Sequence, residues 1–178
     1  MAKSTIICGF DPGLRQTGYG IIRVDQDGDF ELLEAGVLRA DPNGPLALRL
    51  AELAAGVDEV LQEYKTQIVA VEQIYSHYQR PRTAILMAHA RGVILLEAAR
   101  QHCEVIHLPA TTIKKHMTGN GRATKEQMQR AVAQALSLEA VPEPPDVADA
   151  LAIAMCASVV SRMPAKLALN ANDDLLTM

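Results

Sequence analysis

Two apolar, β-branched runs in this chain each close on an acid, and that pairing constrains the fold more than any other feature. Ile6 to Phe10 runs into Asp11-Pro12-Gly13, and Ile68 to Val71 runs into Glu72. Short apolar runs of this type read as central strands, and Asp-Pro-Gly is turn chemistry. A carboxylate at the end of a buried strand is costly unless something positive meets it. A third pair of acids, Asp146 and Asp149, opens a late helix in Asp-Val-Ala-Asp-Ala-Leu-Ala-Ile-Ala. Their i, i+3 spacing puts them on one helix face. Pro144-Pro145 pre-sets the helix start, and the helix dipole favours acids in a first turn. Asp146 by itself also admits the plainer reading of an N-terminal cap. Asp149 precedes an apolar helix and is harder to explain without a partner.

The rest of the pattern predicts the order βββαβαβ followed by helices. Strands are expected over residues 4–10, 18–24 and 30–39, with the turn Asp25-Gln26-Asp27-Gly28-Asp29 between the second and third. Leu46, Leu50, Leu53, Val57, Val60 and Leu61 recur at helical spacing up to Tyr64. After the fourth strand a long helix is expected over 82–102, its broad apolar surface made by Ile85, Leu86, Ala90, Val93, Ile94 and Leu96. A fifth strand over 105–108, short helices around Thr118-Gly119-Asn120-Gly121, a helix over 124–137 and a final helix from Asp146 to about Arg162 complete the reading. A meander joined to βα units implies an α/β protein: a five-stranded mixed sheet with helices on both faces. The 178 residues suit one domain over 1–164, with 165–178 a mobile tail.

Adjacent strands of such a sheet can bring Asp11 and Glu72 to one end. With Asp146 and Asp149 they could hold two divalent ions, since hard cations such as Mg²⁺ or Mn²⁺ take oxygen ligands. Two ions about 3.5–4 Å apart would activate a water and stabilise a leaving oxygen in phosphodiester hydrolysis.

The formal net charge of −4 argues against a polyanionic partner, but its distribution does not. Residues 73–130 carry nine basic and three acidic side chains, while 1–72 carry six and twelve. Nucleic-acid binding follows the local field rather than the global sum. Solvated helix faces would give the same count. Cys8, Cys103 and Cys156 are isolated in apolar segments and read as small buried hydrophobes of a reducing, cytoplasmic protein. The N-terminus lacks the shape of a signal peptide, and no apolar stretch is long enough to span a bilayer. His77, His89, His102, His107 and His116 show no metal-ligand spacing.

Gly-Phe-Asp-Pro-Gly with Thr-Gly-Tyr-Gly (17–20), Val-Glu-Gln-Ile-Tyr (71–75), Ala-Arg-Gly-Val (90–93) and the motif over 146–154 occur in this order. Together they resemble the bacterial RuvC family of Holliday junction resolvases, over roughly residues 5–160. The resemblance implies a ribonuclease H-like fold and a homodimer. It implies Mg²⁺-dependent, paired and symmetric nicking of a four-way DNA junction that leaves 5′-phosphate and 3′-hydroxyl ends, in recombination and repair. It puts Asp11, Glu72, Asp146 and Asp149 on the family's four catalytic acids, with two Mg²⁺ per site and Mn²⁺ as a substitute.

Lys114 and Lys125 match basic positions near the DNA backbone; Lys115 and Arg122 lie beside them, and all four could equally be solvated. Tyr75 matches an aromatic, usually Phe, whose stacking on a base would be worth about 1–3 kcal/mol. Arg80 and Arg82 fall in that loop and are candidates to hold phosphates, and residues 76–87 there depart from the family pattern. His116 and Arg15 are further candidates for phosphate contact. The resemblance also suggests a branch-migration helicase of the RuvA and RuvB type as partner. Small residues along 84–99 would suit a helix–helix dimer or close packing on the sheet. Three other readings stay open: an actin-like ATPase, for which one lobe is too few; a non-catalytic junction-binding module; and a related nuclease acting on RNA or other branched DNA.

Overall fold

Residues 4–74 and 81–162 are described in a computed structural model of the chain. The strands are β1 (Thr5–Asp11), β2 (Gln16–Val24), β3 (Phe30–Arg39), β4 (Ile68–Glu72) and β5 (Glu104–Leu108). The helices are α1 (Leu46–Glu63), α2 (Pro81–Arg100), α3 (Ala110–Thr118), α4 (Lys125–Ala135) and α5 (Pro145–Val160). They form one sheet of order β3-β2-β1-β4-β5. β1, β2 and β3 are an antiparallel meander, and β4 and β5 join β1 in parallel. The expected element order and mixed sheet are both present. Boundaries differ by a few residues: β2 starts at Gln16 rather than Gly18, and α2 stops at Arg100 rather than His102. The tail over 165–178 lies outside the described residues.

Strand alternation sorts the side chains into two layers. Cys8, Phe10, Val69 and Val71 pack with Val57, Leu61, Ala90 and Ile94 on the α1–α2 face. Ile7, Ile68, Ala70 and Leu108 pack with α5 on the other. Continuing each alternation places Asp11 and Glu72 on the α5 face. The register pairs Phe10 with Val71, so the two acids end neighbouring parallel strands at the same edge. Parallel pairing fixes this, because both strands run toward that edge.

α5 is the central helix. Every residue from Val147 to Ser158 except Asp149 is buried. An all-round apolar helix needs cover on all sides, here the sheet beneath and α3 and α4 above. It lies close because the strands under it carry glycines. A Cβ on Gly9 would meet the Ala150 carbonyl oxygen and, at 2.6 Å, the Ala154 nitrogen. One on Gly18 would meet the Asp146 carbonyl oxygen, and one on Gly20 would lie 2.6 Å from Leu151 Cδ2. Gly9 pairs with Gly20 across the β1–β2 ladder, which makes a flat bare patch for the helix.

α2 divides its apolar residues between two surroundings. Ala90, Ile94 and Ala98 are buried against the sheet layer, whereas Ile85 (57% exposed) and Leu96 (50% exposed) face outward. The broad apolar surface of this helix is thus split between the core and an outward face that carries Ile85 and Leu96.

Gly9→Ala should test the helix-on-glycine contact. The added methyl meets α5 backbone, which has no rotamer to yield. We expect a loss of about 1–3 kcal/mol in denaturant unfolding, with Gly92→Ala, where a Cβ meets nothing within 4 Å, as the tolerated comparison.

Candidate active site

The four acids converge. Asp11 ends β1, Glu72 ends β4, and α5 carries Asp146 in its first turn and Asp149 one turn further. The α5 N-cap residue is Pro144, with Pro145 in the first turn, and there is no side-chain cap. The capping explanation of Asp146 therefore fails: its Oδ2 instead accepts a 2.7 Å hydrogen bond from Gln16 Nε2, across 130 residues of chain. Asp149 Oδ2 lies 3.3 Å from Lys125 Nζ.

The acids repel one another in a partly dehydrated place. Burial, then the charges of Asp149, Glu72 and Asp146, push the Asp11 carboxyl from 3.8 up to about 7. Burial and Asp149 raise Glu72, against the opposing pull of Lys114. Burial raises Asp149 too, with Lys125 as the main opposing influence. Burial alone would lower the Lys125 ammonium, yet the carboxylates of Asp149, Asp146 and Asp11 hold it above its ordinary value. Burial leads each carboxyl shift, and the repulsion among the acids adds to it.

Two lysines supply opposing positive charge. Lys125 is the first residue of α4, whose start is fixed by a capping box: Thr124 Oγ1 accepts from Gln127 N at 3.3 Å, and Gln127 Oε1 accepts from Thr124 N at 2.8 Å. Thr-x-x-Gln is a sequence-level signal for a helix start, and it fixes Lys125 as the first residue of α4. Lys114 is half-buried on α3, close enough to act on Glu72 and Asp149. For Lys125 the solvated-loop reading gives way to an ion pair inside the cluster. Lys115 and Arg122 are exposed; Lys115 and His116 line a shallow cleft with Thr111 and Gly121. Arg82 is exposed at the start of α2. Tyr75 and Arg80 lie outside the described residues.

Sequence reasoning missed Gln16 as a partner of Asp146, and it missed a brace behind Glu72. Arg91 Nε donates to the Glu72 carbonyl at 3.3 Å, and its Nη2 lies 2.8 Å from His107 Nδ1. Burial and the Arg91 charge hold the His107 imidazole below its ordinary pKa, so the neutral ring accepts at Nδ1. The Ala-Arg-Gly-Val block, noted only as a motif, thus ties α2 to the ends of β4 and β5.

Comparison with known proteins decides the family. Residues 7–157 match the profile described as crossover junction endodeoxyribonuclease RuvC. The chain belongs to the RuvC family. It is 48% identical to the RuvC of Rhodopirellula baltica over 163 residues, which cover 91% of this chain and 90% of that protein. It is 39% identical to the RuvC of Desulforamulus reducens, covering 85% and 91%. The Thermus thermophilus RuvC structure superposes with a TM-score of 0.81 at 31% identity, covering 89% of this chain and 96% of that one. The same organism's RuvC in complex with Holliday junction substrate gives 0.82 with the same coverage. The yeast mitochondrial Holliday junction resolvase Ydc2, at 12% identity and a TM-score of 0.59, shares the fold. The ribonuclease H-like architecture implied by the RuvC resemblance is thereby shown.

The raised Asp11 pKa predicts a pH-dependent stability. Between pH 3.8 and about 7 the folded protein holds a proton that the unfolded chain has released, so stability falls as pH rises through that window. At about 1.4 kcal/mol per pH unit, the effect is bounded at about 4 kcal/mol. In chelator, Asp11→Asn should melt higher than the parent at pH 8, and the gap should narrow at pH 5 and close only as the pH falls below 3.8. An equal gap at both pH values would contradict the crowding of the acids.

Proposed function

We propose that this RuvC-family chain is a structure-selective endonuclease that resolves four-way DNA junctions by paired, metal-dependent nicks leaving 5′-phosphate and 3′-hydroxyl ends. The observation that carries the reading is the convergence of Asp11, Glu72, Asp146 and Asp149 with too little positive charge among them. It is supported by the match to a family profile described as a crossover junction endodeoxyribonuclease, and by likeness to a relative seen with Holliday junction substrate.

The donor set fits hard divalent cations, Mg²⁺ with Mn²⁺ as a substitute, two per site. Four carboxylates on three rigid elements offer oxygen ligands and the negative charge that two ions would neutralise. As they stand, no three His, Cys, Asp or Glu side chains among the described residues are gathered tightly enough to hold one ion. Asp146 and Asp149 each have an oxygen engaged, by Gln16 and Lys125, and rotation of those short side chains would free both. Bound ions would activate the attacking water and stabilise the leaving oxygen.

The chain's own residues supply the setting. The sheet edge fixes Asp11 and Glu72, and α5 delivers the other two acids to the same edge. Lys114 and Lys125 place cations where a scissile phosphate would develop charge. Lys115, Arg122 and Arg82 extend a basic rim, and Tyr75 and Arg80 would add a stacking ring and a cation from their loop.

Two cuts on a two-fold junction call for two identical sites, hence a homodimer. α2 offers a surface for it: Ile85, Ala88, Gly92, Leu96 and Ala99 are exposed at helical spacing, and nothing lies within 4 Å of a Cβ built on Gly92. Ala90 and Ala98 pack inward instead. A branch-migration complex of the RuvA and RuvB type is the natural supplier of such a junction.

Asp11→Asn, Glu72→Gln, Asp146→Asn and Asp149→Asn should each cut nicking of a synthetic junction on the order of 10²–10³ or more. Binding in gel shifts should persist, since the basic rim stays. Lys114→Ala should weaken nicking more than binding. Chelator should abolish nicking by the parent. Robust nicking in any two of the four acid variants, or in chelator, would refute the assignment.

A further inference from the structure

Beside the acids, the structure carries a cleft that none of the candidate lysines lines. It has a volume of about 390 Å³ and begins at Asp11 and Asp146. Its walls are the β1–β2 turn, with Leu14 and Arg15, together with Arg49 of α1 and Leu86 and Met87 of α2. A second cleft of about 440 Å³ shares Arg15 and Gln16 with the first and continues to Arg39 and Asp41. The β2–β3 register explains the continuity, because Gln16 and Arg39 are directly paired. The two clefts form one groove that leaves the acid cluster on the side away from α3 and α4.

We propose that this groove carries the single DNA strand on one side of the scissile phosphate, with Arg15, Arg39 and Arg49 as its phosphate-contacting residues. The proposal rests on the nuclease reading above and adds to it a strand path, a place on that path for Arg15, and two cations, Arg39 and Arg49, that no basic-segment count would have found.

Three observations support this occupant. First, the groove is continuous with the acids, so a strand whose phosphate lies at Asp11 and Asp146 must leave by it or by the lysine side. Second, its charge suits phosphates: three guanidinium groups line its length against a single acid, Asp41, beyond the cluster itself. Asp41 is already engaged locally, its Oδ1 accepting from Asn43 N at 2.9 Å. Third, Arg49 has unused donor capacity. Its Nη2 donates to the Leu14 carbonyl at 3.3 Å, while its buried Nε–H has no hydrogen-bond partner among the described residues. A buried guanidinium N–H without an acceptor calls for an explanation, and guanidinium is the side chain best matched to a phosphate. Leu14, Leu86 and Met87 give the same wall an apolar floor against which a base or deoxyribose can lie.

Arg15 and Arg39 are exposed and can be changed without disturbing the core. Arg23, exposed at the far end of β2 and paired with Glu31 at 2.8 Å, is the control. Junction binding would be followed by fluorescence anisotropy across a salt series in a Glu72→Gln background, which leaves the groove intact. Arg15→Ala and Arg39→Ala should each weaken binding about three- to tenfold and flatten the log–log salt slope by about 0.7–0.9. Arg23→Ala should do neither.

Phosphate-ethylation interference should show contacts on both sides of the cut in the Glu72→Gln protein. Arg15→Ala with Arg39→Ala should erase them on one side only, and Lys114→Ala with Lys115→Ala on the other. Parental slope and affinity in both arginine variants, or an unchanged interference pattern, would overturn the groove while leaving the nuclease reading intact. Failure of the parent to bind or nick the junction would overturn both.

Discussion

The contact that the site depends on is the one between α5 and the bare patch of β1 and β2. Asp146 and Asp149 belong to a helix, while Asp11 and Glu72 belong to strands. A helix normally stands off a sheet by the depth of two layers of side chains. Here Gly9, Gly18 and Gly20 remove the sheet's layer, and Ala150 and Ala154 thin the helix's own. The helix backbone descends onto the strands, and its first turns arrive at the edge where β1 and β4 end. A methyl at Gly18 would strike the carbonyl of Asp146 itself, so packing and chemistry share a residue there.

That descent has an electrostatic cost. Burial first, and then the neighbouring carboxylates, raise the pKa of Asp11, Glu72 and Asp149, and Asp11 most of all. The buried helix and sheet hold them there against that repulsion, and the same repulsion favours any cation that enters. Lys125 and Lys114 are the fold's partial answer, since two ammonium groups cannot neutralise four carboxylates. The cluster therefore stays short of positive charge within a fold that holds it in place. The brace of Arg91 on the Glu72 carbonyl works in the same sense, because it fixes a strand end whose own side chain is repelled by its neighbours.

Much of this was legible in the chain. The apolar runs Ile6 to Asp11 and Ile68 to Glu72 read as two strands with acids at their ends, and the β-branched content made them central. The i, i+3 spacing of Asp146 and Asp149 gave their common face. Local pattern could not reveal who partners whom. The Gln16–Asp146 hydrogen bond spans 130 residues, and the Arg91–His107 pair joins a helix to a strand edge. Such pairs depend on tertiary packing, which no spacing encodes. The glycines were read as parts of motifs and a hairpin, and their role as a landing surface needs the helix in place. Ile85 and Leu96 illustrate the converse: their helical periodicity was correctly read, but periodicity does not say whether the apolar face meets this chain's core or another surface.

The distribution of charge is the last step. Counting by segment put the cations in residues 73–130 and made the first 72 residues look hostile to DNA. The fold redistributes that count. Of the twelve acids in the first segment, Asp11 and Glu72 are drawn into the cluster, and Asp25 and Asp41 accept backbone N–H groups in their own turns. Three of the six cations of that segment, Arg15, Arg39 and Arg49, line a single groove that opens at the cluster. A polyanion approaching the edge of β1 meets lysines from α3 and α4 on one side and these arginines on the other. Global acidity therefore does not decide the field at this edge: some of the acids lie in the cluster or in their own turns, while these cations line its two sides.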